Sequence, residues 1–103
     1  MRYFVDIDGT ICTNTDGKYE EAIPFPSNIE KINNLYDDGN EIIYWTARGS
    51  VTGIDWTSLT TEQLDRWGVK YNELKMRKPH YDLFICDKAI NSDKYFGGLP
   101  EKT

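Results

Sequence analysis

Apolar positions in this chain gather in short runs separated by polar loops and by two stretches with helical spacing. Residues 2–7 (RYFVDI) read as a short buried strand. A long polar loop follows over 9–26, holding Gly9, Gly17, Pro24 and Pro26. Ser27 stands as a cap before Ile29, Ile32, Leu35 and Tyr36, which recur at helical spacing until Gly39 stops the helix. Residues 41–46 (EIIYWT) form the second expected strand. Gly49 and Gly53 frame a flexible stretch, and a second helix is expected over 57–67. There Thr60 and Gln63 have capping-box spacing, and Gly68 is the stop. Residues 70–76 give a third strand and 82–86 (DLFIC) a fourth, which ends at Asp87.

Strand and helix alternate, then two strands close the series. That order predicts right-handed crossovers and an α/β fold, a Rossmann-like three-layer sandwich with a central parallel sheet. Ligands in such sheets bind beyond the carboxyl ends of the strands. Asp6 and Asp8 follow the first strand, Thr46-Ala47-Arg48 the second, and Asp87 the fourth. Polar residues thus converge on one edge.

The 103 residues suit one domain, 1–103, with a single core. Hydrophobic residues at 39% and aromatics at 14% describe a globular chain. The charge at Arg2 and Asp6 speaks against a secretory signal, and no apolar run nears the roughly 20 residues of a membrane span. Cys12 and Cys86 have no zinc or CxxC spacing and read as reduced thiols, so a cytoplasmic protein away from membranes is expected. A net charge of -5 argues against general nucleic-acid binding, which needs a basic stripe.

Charge becomes informative at Asp6 and Asp8, separated only by Ile7. Two carboxylates so close repel, and burial raises the cost of ionising both. If Asp87 joins them, three carboxylates call for a hard cation with oxygen ligands, most simply Mg²⁺. Thr46 adds a hydroxyl, and Arg48, Lys75, Arg77 and Lys78 add positive charge. A phosphoryl group held between metal and cations would use all of these.

Asp6-Ile7-Asp8-Gly9-Thr10 resembles the DxDGT signature of the haloacid dehalogenase superfamily of phosphohydrolases. The strand ending in Thr46, the Lys78-Pro79 pair and the late aspartate Asp87 follow in that family's order, so the likeness spans residues 3 to about 93. It implies a haloacid-dehalogenase-like core in which Asp6 is the nucleophile that becomes an aspartyl phosphate. Asp8 would protonate the leaving oxygen and then activate water. Thr46 would hydrogen-bond the phosphoryl group and Lys78 would neutralise it. Gly9, Thr10, Ala47 and Arg48 would bind substrate. Asp6, Asp87 and the Asp8 backbone carbonyl would ligate Mg²⁺. Where relatives often carry two adjacent acids on the last strand, this chain has Cys86 before Asp87, so Asn91 or Asp93 would assist through water. Lys75 and Arg77 are rivals of Lys78 for the cationic role.

The chain has no room for a cap domain; 11–26 supplies a short flap at most. It therefore resembles the capless group, and more loosely, over 52–79, small bacterial members associated with sugar and surface-polysaccharide metabolism. The expected activity is Mg²⁺-dependent hydrolysis of a small phosphate ester such as a sugar phosphate. A homo-oligomer would shelter the open site. The alternatives are a nucleic-acid end phosphatase, short of a basic stripe, and a non-catalytic phospholigand-binding module, which would have no need of Asp8. His80 and the pairs Glu20-Glu21 and Asp37-Asp38 read as surface, and Trp45, Trp56 and Trp67 as packing residues.

Overall fold

The structure, a computed structural model, describes residues 1–97. Strands β1 (Arg2–Val5), β2 (Glu41–Trp45) and β3 (Glu73–Lys75) form a parallel sheet in the order β1-β2-β3. Helix α1 (Pro26–Asp37) connects the first two strands, and α2 (Thr57–Arg66) connects the second to the third. A five-residue helix, α3 (Ser92–Phe96), follows. The chain is a small α/β fold.

Side-chain alternation sorts the sheet into two faces. Tyr3 lies opposite Ile42 and Val5 opposite Tyr44. Those residues meet Ile29 and Ile32 of α1 and Leu64 of α2 in one core, with Ile7 and Ile11 fully buried. Each such aliphatic side chain contributes about 1.5–3 kcal/mol when it leaves water. Phe4, Ile43 and Trp45 point the other way. Phe4 remains 52% exposed and rests edge-on against Trp45 at 5.8 Å.

Several expected boundaries shift. β1 and β2 each end before the polar residues assigned to them, and β3 keeps only three residues. Helix α1 opens on Phe25 with Pro26 in its first turn, so Ser27 lies inside the helix. Pro is suited to that first turn, where its missing N–H has no intrahelical acceptor to lose. Thr60 and Gln63 are not a capping box. They sit within α2, fully buried, with side chains turned toward Arg48.

The larger correction concerns 82–86. No fourth strand forms among the described residues, and Leu83, Phe84 and Ile85 are exposed. An apolar run becomes a strand only where a ladder partner meets it, and here Phe84 packs edge-on against its neighbour Tyr81 at 5.5 Å. The outer edge of β1 stays unpaired among the described residues, and none of the described helices covers Phe4, although Ile43 on the same face is buried. No described helix is long and apolar enough to cross a membrane.

Candidate active site

The turn after β1 shapes the site. Thr10 and Ile11 donate their amides to the Ile7 carbonyl at 3.0 and 2.9 Å, and Gly9 donates to the Cys12 carbonyl at 2.8 Å. Gly9 has φ +80°, a conformation that favours glycine, and a Cβ there would stand 2.8 Å from Asn14 Nδ2, so that the Asn14 amide would have to move aside. Asn28 of α1 anchors the turn, donating Nδ2 to the Thr10 carbonyl at 2.9 Å. With Ile7 buried between them, Asp6 and Asp8 remain at the rim.

The ends of β2 and β3 supply the opposite wall. Thr46 donates its amide to the Lys75 carbonyl at 3.0 Å, and Lys78 donates its own to the Thr46 carbonyl at 2.9 Å. Arg77, at φ +64°, turns the chain between those two bonds. Ser50 Oγ then donates to the Lys78 carbonyl at 2.6 Å, tying the 49–53 turn to the same backbone. A cavity of about 560 Å³ opens between these walls. Asp6, Asp8, Thr46, Ala47, Arg48 and Lys78 line it, with Asn14–Gly17 and Tyr19 on one flank and Pro79–Asp82 on the other.

Lys78 Nζ stands 3.9 Å from Asp6 Oδ1. Thr10 Oγ1 donates to Asp6 Oδ2 at 3.4 Å. Asp6 keeps 42% of its side chain accessible, yet loss of water around it pushes its carboxyl above the usual range. Lys78 opposes that rise, and the neighbouring Asp8 charge adds to it. Neither Lys75 nor Arg77 lines the cavity, and Lys75 lies over the Phe4 ring instead.

Arg48 departs from its expected role. Its side chain is fully buried, with Nε 2.9 Å from Asp8 Oδ2 and Nη2 2.9 Å from Asp8 Oδ1. Nη1 donates to Thr60 Oγ1 at 3.0 Å and to Gln63 Oε1 at 2.6 Å. Burial works against the guanidinium charge, but the bonds and charge of Asp8 outweigh it and raise its pKa. The second Nη2 N–H faces the Cys12 sulfur at 4.0 Å, so all five N–H groups point into the protein and none is open to a substrate. Thr10, also expected at the substrate, is buried against Asp6, and Gly9 accepts from Ser92 Oγ at 3.4 Å; neither lines the cavity. Ala47 does.

Asp87 is exposed and does not line the cavity. Among the described residues, no three Asp, Glu, His or Cys side chains come together to hold a metal ion. The three-carboxylate donor set expected for Mg²⁺ is thus not assembled, because the strand meant to carry Asp87 beside β1 is not formed. Asn91 caps α3, accepting the Asp93 amide at 2.8 Å. Cys12 and Cys86 are free, the first buried and the second exposed. Burial and the Asp8 charge push the Cys12 thiol up to about 12, which keeps it protonated.

Two contributors escaped the sequence reading. Tyr19 presents its ring to the Arg48 guanidinium at 4.7 Å, and its carbonyl accepts Gln63 Nε2 at 2.6 Å. Gln63, placed by helical periodicity on the buried face of α2, had only a capping role by spacing.

No protein-family model matches the chain, and no curated protein matches it. A crystal structure of an MCSG target from Vibrio cholerae is similar, with a TM-score of 0.82 at 29% identity over 97% of this chain and 90% of that one. The likeness bears on the fold and carries no functional name.

Proposed function

We propose that this protein hydrolyses phosphomonoesters through an aspartyl phosphate on Asp6, with a haloacid-dehalogenase-like core. The observation that supports it best is Lys78 Nζ 3.9 Å from Asp6 in a cavity also lined by Asp8 and Thr46. In this reading Asp6 attacks phosphorus while the bond to the leaving oxygen breaks, and Asp8 gives that oxygen its proton. Water, losing a proton to Asp8, then attacks phosphorus and breaks the bond to Asp6, which releases inorganic phosphate. Thr46 accepts the Arg48 amide at 3.2 Å, so its hydroxyl hydrogen is left to donate to the phosphoryl oxygens. Lys78 balances the charge that gathers there.

The substrate proposed is a small phosphate ester such as a sugar phosphate, and the cofactor proposed is Mg²⁺. Asp6 and the Asp8 carbonyl would be two of its ligands, but the described conformation does not bring in Asp87, and no step above runs through the ion. A cytoplasmic location and self-association belong to the same proposal.

Turnover of sugar phosphates, nucleotides, phosphorylated oligonucleotide ends and p-nitrophenyl phosphate, in wild type and Asp6→Asn, tests the reading. Wild-type turnover that vanishes in Asp6→Asn supports it. Preference for oligonucleotide ends would move the substrate class, and phosphate binding without turnover would leave only a binding module.

A further inference from the structure

The geometry points to Arg48 as a positioning residue that fixes the direction of the Asp8 carboxyl and does not itself bind phosphate. The inference rests on the phosphatase reading. A phosphate-binding arginine keeps at least one edge of its guanidinium open to the anion. Arg48 offers none: Asp8 takes Nε–H and one Nη2–H, and Thr60 and Gln63 take both from Nη1. The second Nη2–H faces the Cys12 sulfur at 4.0 Å, and the whole side chain is buried. The pairing with Asp8 is bidentate, and a planar fork fixes the plane of its carboxylate partner as well as its distance. Asp8 is thereby held on one side; Oδ1 also accepts from the Cys12 thiol at 3.5 Å, and the lone pair left on Oδ2 is available to the cavity that Asp8 lines.

The fork is itself held from behind. Thr60 and Gln63 lie within α2 and are fully buried, so they cannot follow a displaced guanidinium without disturbing the core. Gln63 also donates to the Tyr19 carbonyl at 2.6 Å, and the Tyr19 ring lies 4.7 Å from the guanidinium carbon. One side chain thus joins α2, the 14–19 wall of the cavity and the aspartate proposed as acid and base. A lysine would keep the charge and lose the plane.

The consequence appears only where proton delivery limits the reaction. A good leaving group such as p-nitrophenolate departs with little help, whereas an alkoxide needs its proton at once. The experiment compares kcat and KM of wild type and Arg48→Lys on p-nitrophenyl phosphate and on a simple alkyl phosphate. The expected result is a fall of about 10²-fold in kcat on the alkyl ester, a much smaller fall on the aryl ester, and little change in either KM. Equal losses on both esters would overturn the inference in favour of general structural damage, and a rise in both KM values would return Arg48 to substrate binding. If Arg48→Lys does not fold, the double variant Thr60→Val, Gln63→Leu removes the acceptors behind the fork, and the same selective loss is expected; an unchanged ratio would overturn the inference. Wild-type inactivity on both esters would overturn the phosphatase reading itself, which separates the two failures.

Discussion

Lys78 Nζ lies 3.9 Å from Asp6 Oδ1, brought there by a backbone bond from its own amide to the Thr46 carbonyl. Lys75 and Arg77 are close in sequence but lie outside the cavity. Lys78→Ala is therefore expected to lower kcat by on the order of 10²-fold, with much smaller losses in Lys75→Ala and Arg77→Ala. Steady-state kinetics on one aryl phosphate checks the order. Equal losses at all three positions would remove the special claim of Lys78.

Asp6 should weaken the fold at neutral pH, as charged groups in reactive sites often do. Its pKa is raised in the folded state, chiefly by loss of water. The folded chain therefore binds that proton more tightly than the unfolded one. The resulting stability is present below the ordinary carboxylate pKa and is lost as pH rises through the folded value. Asp6→Asn should thus become more stable than wild type as pH rises from the carboxylate range toward neutrality. Denaturant unfolding in a chelating buffer across that range checks the sign, and a wild type that gains on the variant as pH rises would contradict it.

The Tyr44 hydroxyl is buried and has no hydrogen-bond partner. Burial alone pushes its pKa up. An unsatisfied buried polar group costs about 1–3 kcal/mol, so Tyr44→Phe should raise stability by about 1 kcal/mol with turnover unchanged. Thermal unfolding measures it. A destabilised variant would mean that the hydroxyl has a partner in solution.

Residues 82–86 carry Leu83, Phe84 and Ile85 in the open, while the outer edge of β1 is unpaired among the described residues. The chain is anchored on both sides of this stretch, at Lys78 by Thr46 and at Ser92 by Gly9. If the segment pairs along β1, Asp87 arrives beside the two aspartates. Adding Mg²⁺ should then protect the 82–86 amides from hydrogen exchange, and Asp87→Asn should abolish that protection. Exchange in the wild type that is indifferent to Mg²⁺ would count against the proposed metal ligand set.

The sequence made the sheet edge legible to within two residues. The strands end where an apolar run meets a polar residue, at Val5-Asp6 and Trp45-Thr46, and not after Ile7 and Thr46 as expected, because the polar residues turn away to line the cavity. The left-handed glycines Gly39 and Gly68, each just past a helix, were legible for a similar local reason. Arg48 was not. Its partners Asp8, Thr60 and Gln63 are distant in sequence, and the spacing of the last two fits a cap as well as a buried helix face. Residues 82–86 misled for the opposite reason: an apolar run states a preference for burial and says nothing about which edge receives it.

Capture of the phosphorylated intermediate tests the central claim most directly. The wild type would be mixed with a radiolabelled phosphate ester, quenched in acid during turnover, digested and mapped. The account predicts label on the peptide that contains Asp6, absent from Asp6→Asn. Steady turnover with no label, or label on a peptide that lacks Asp6, would contradict it.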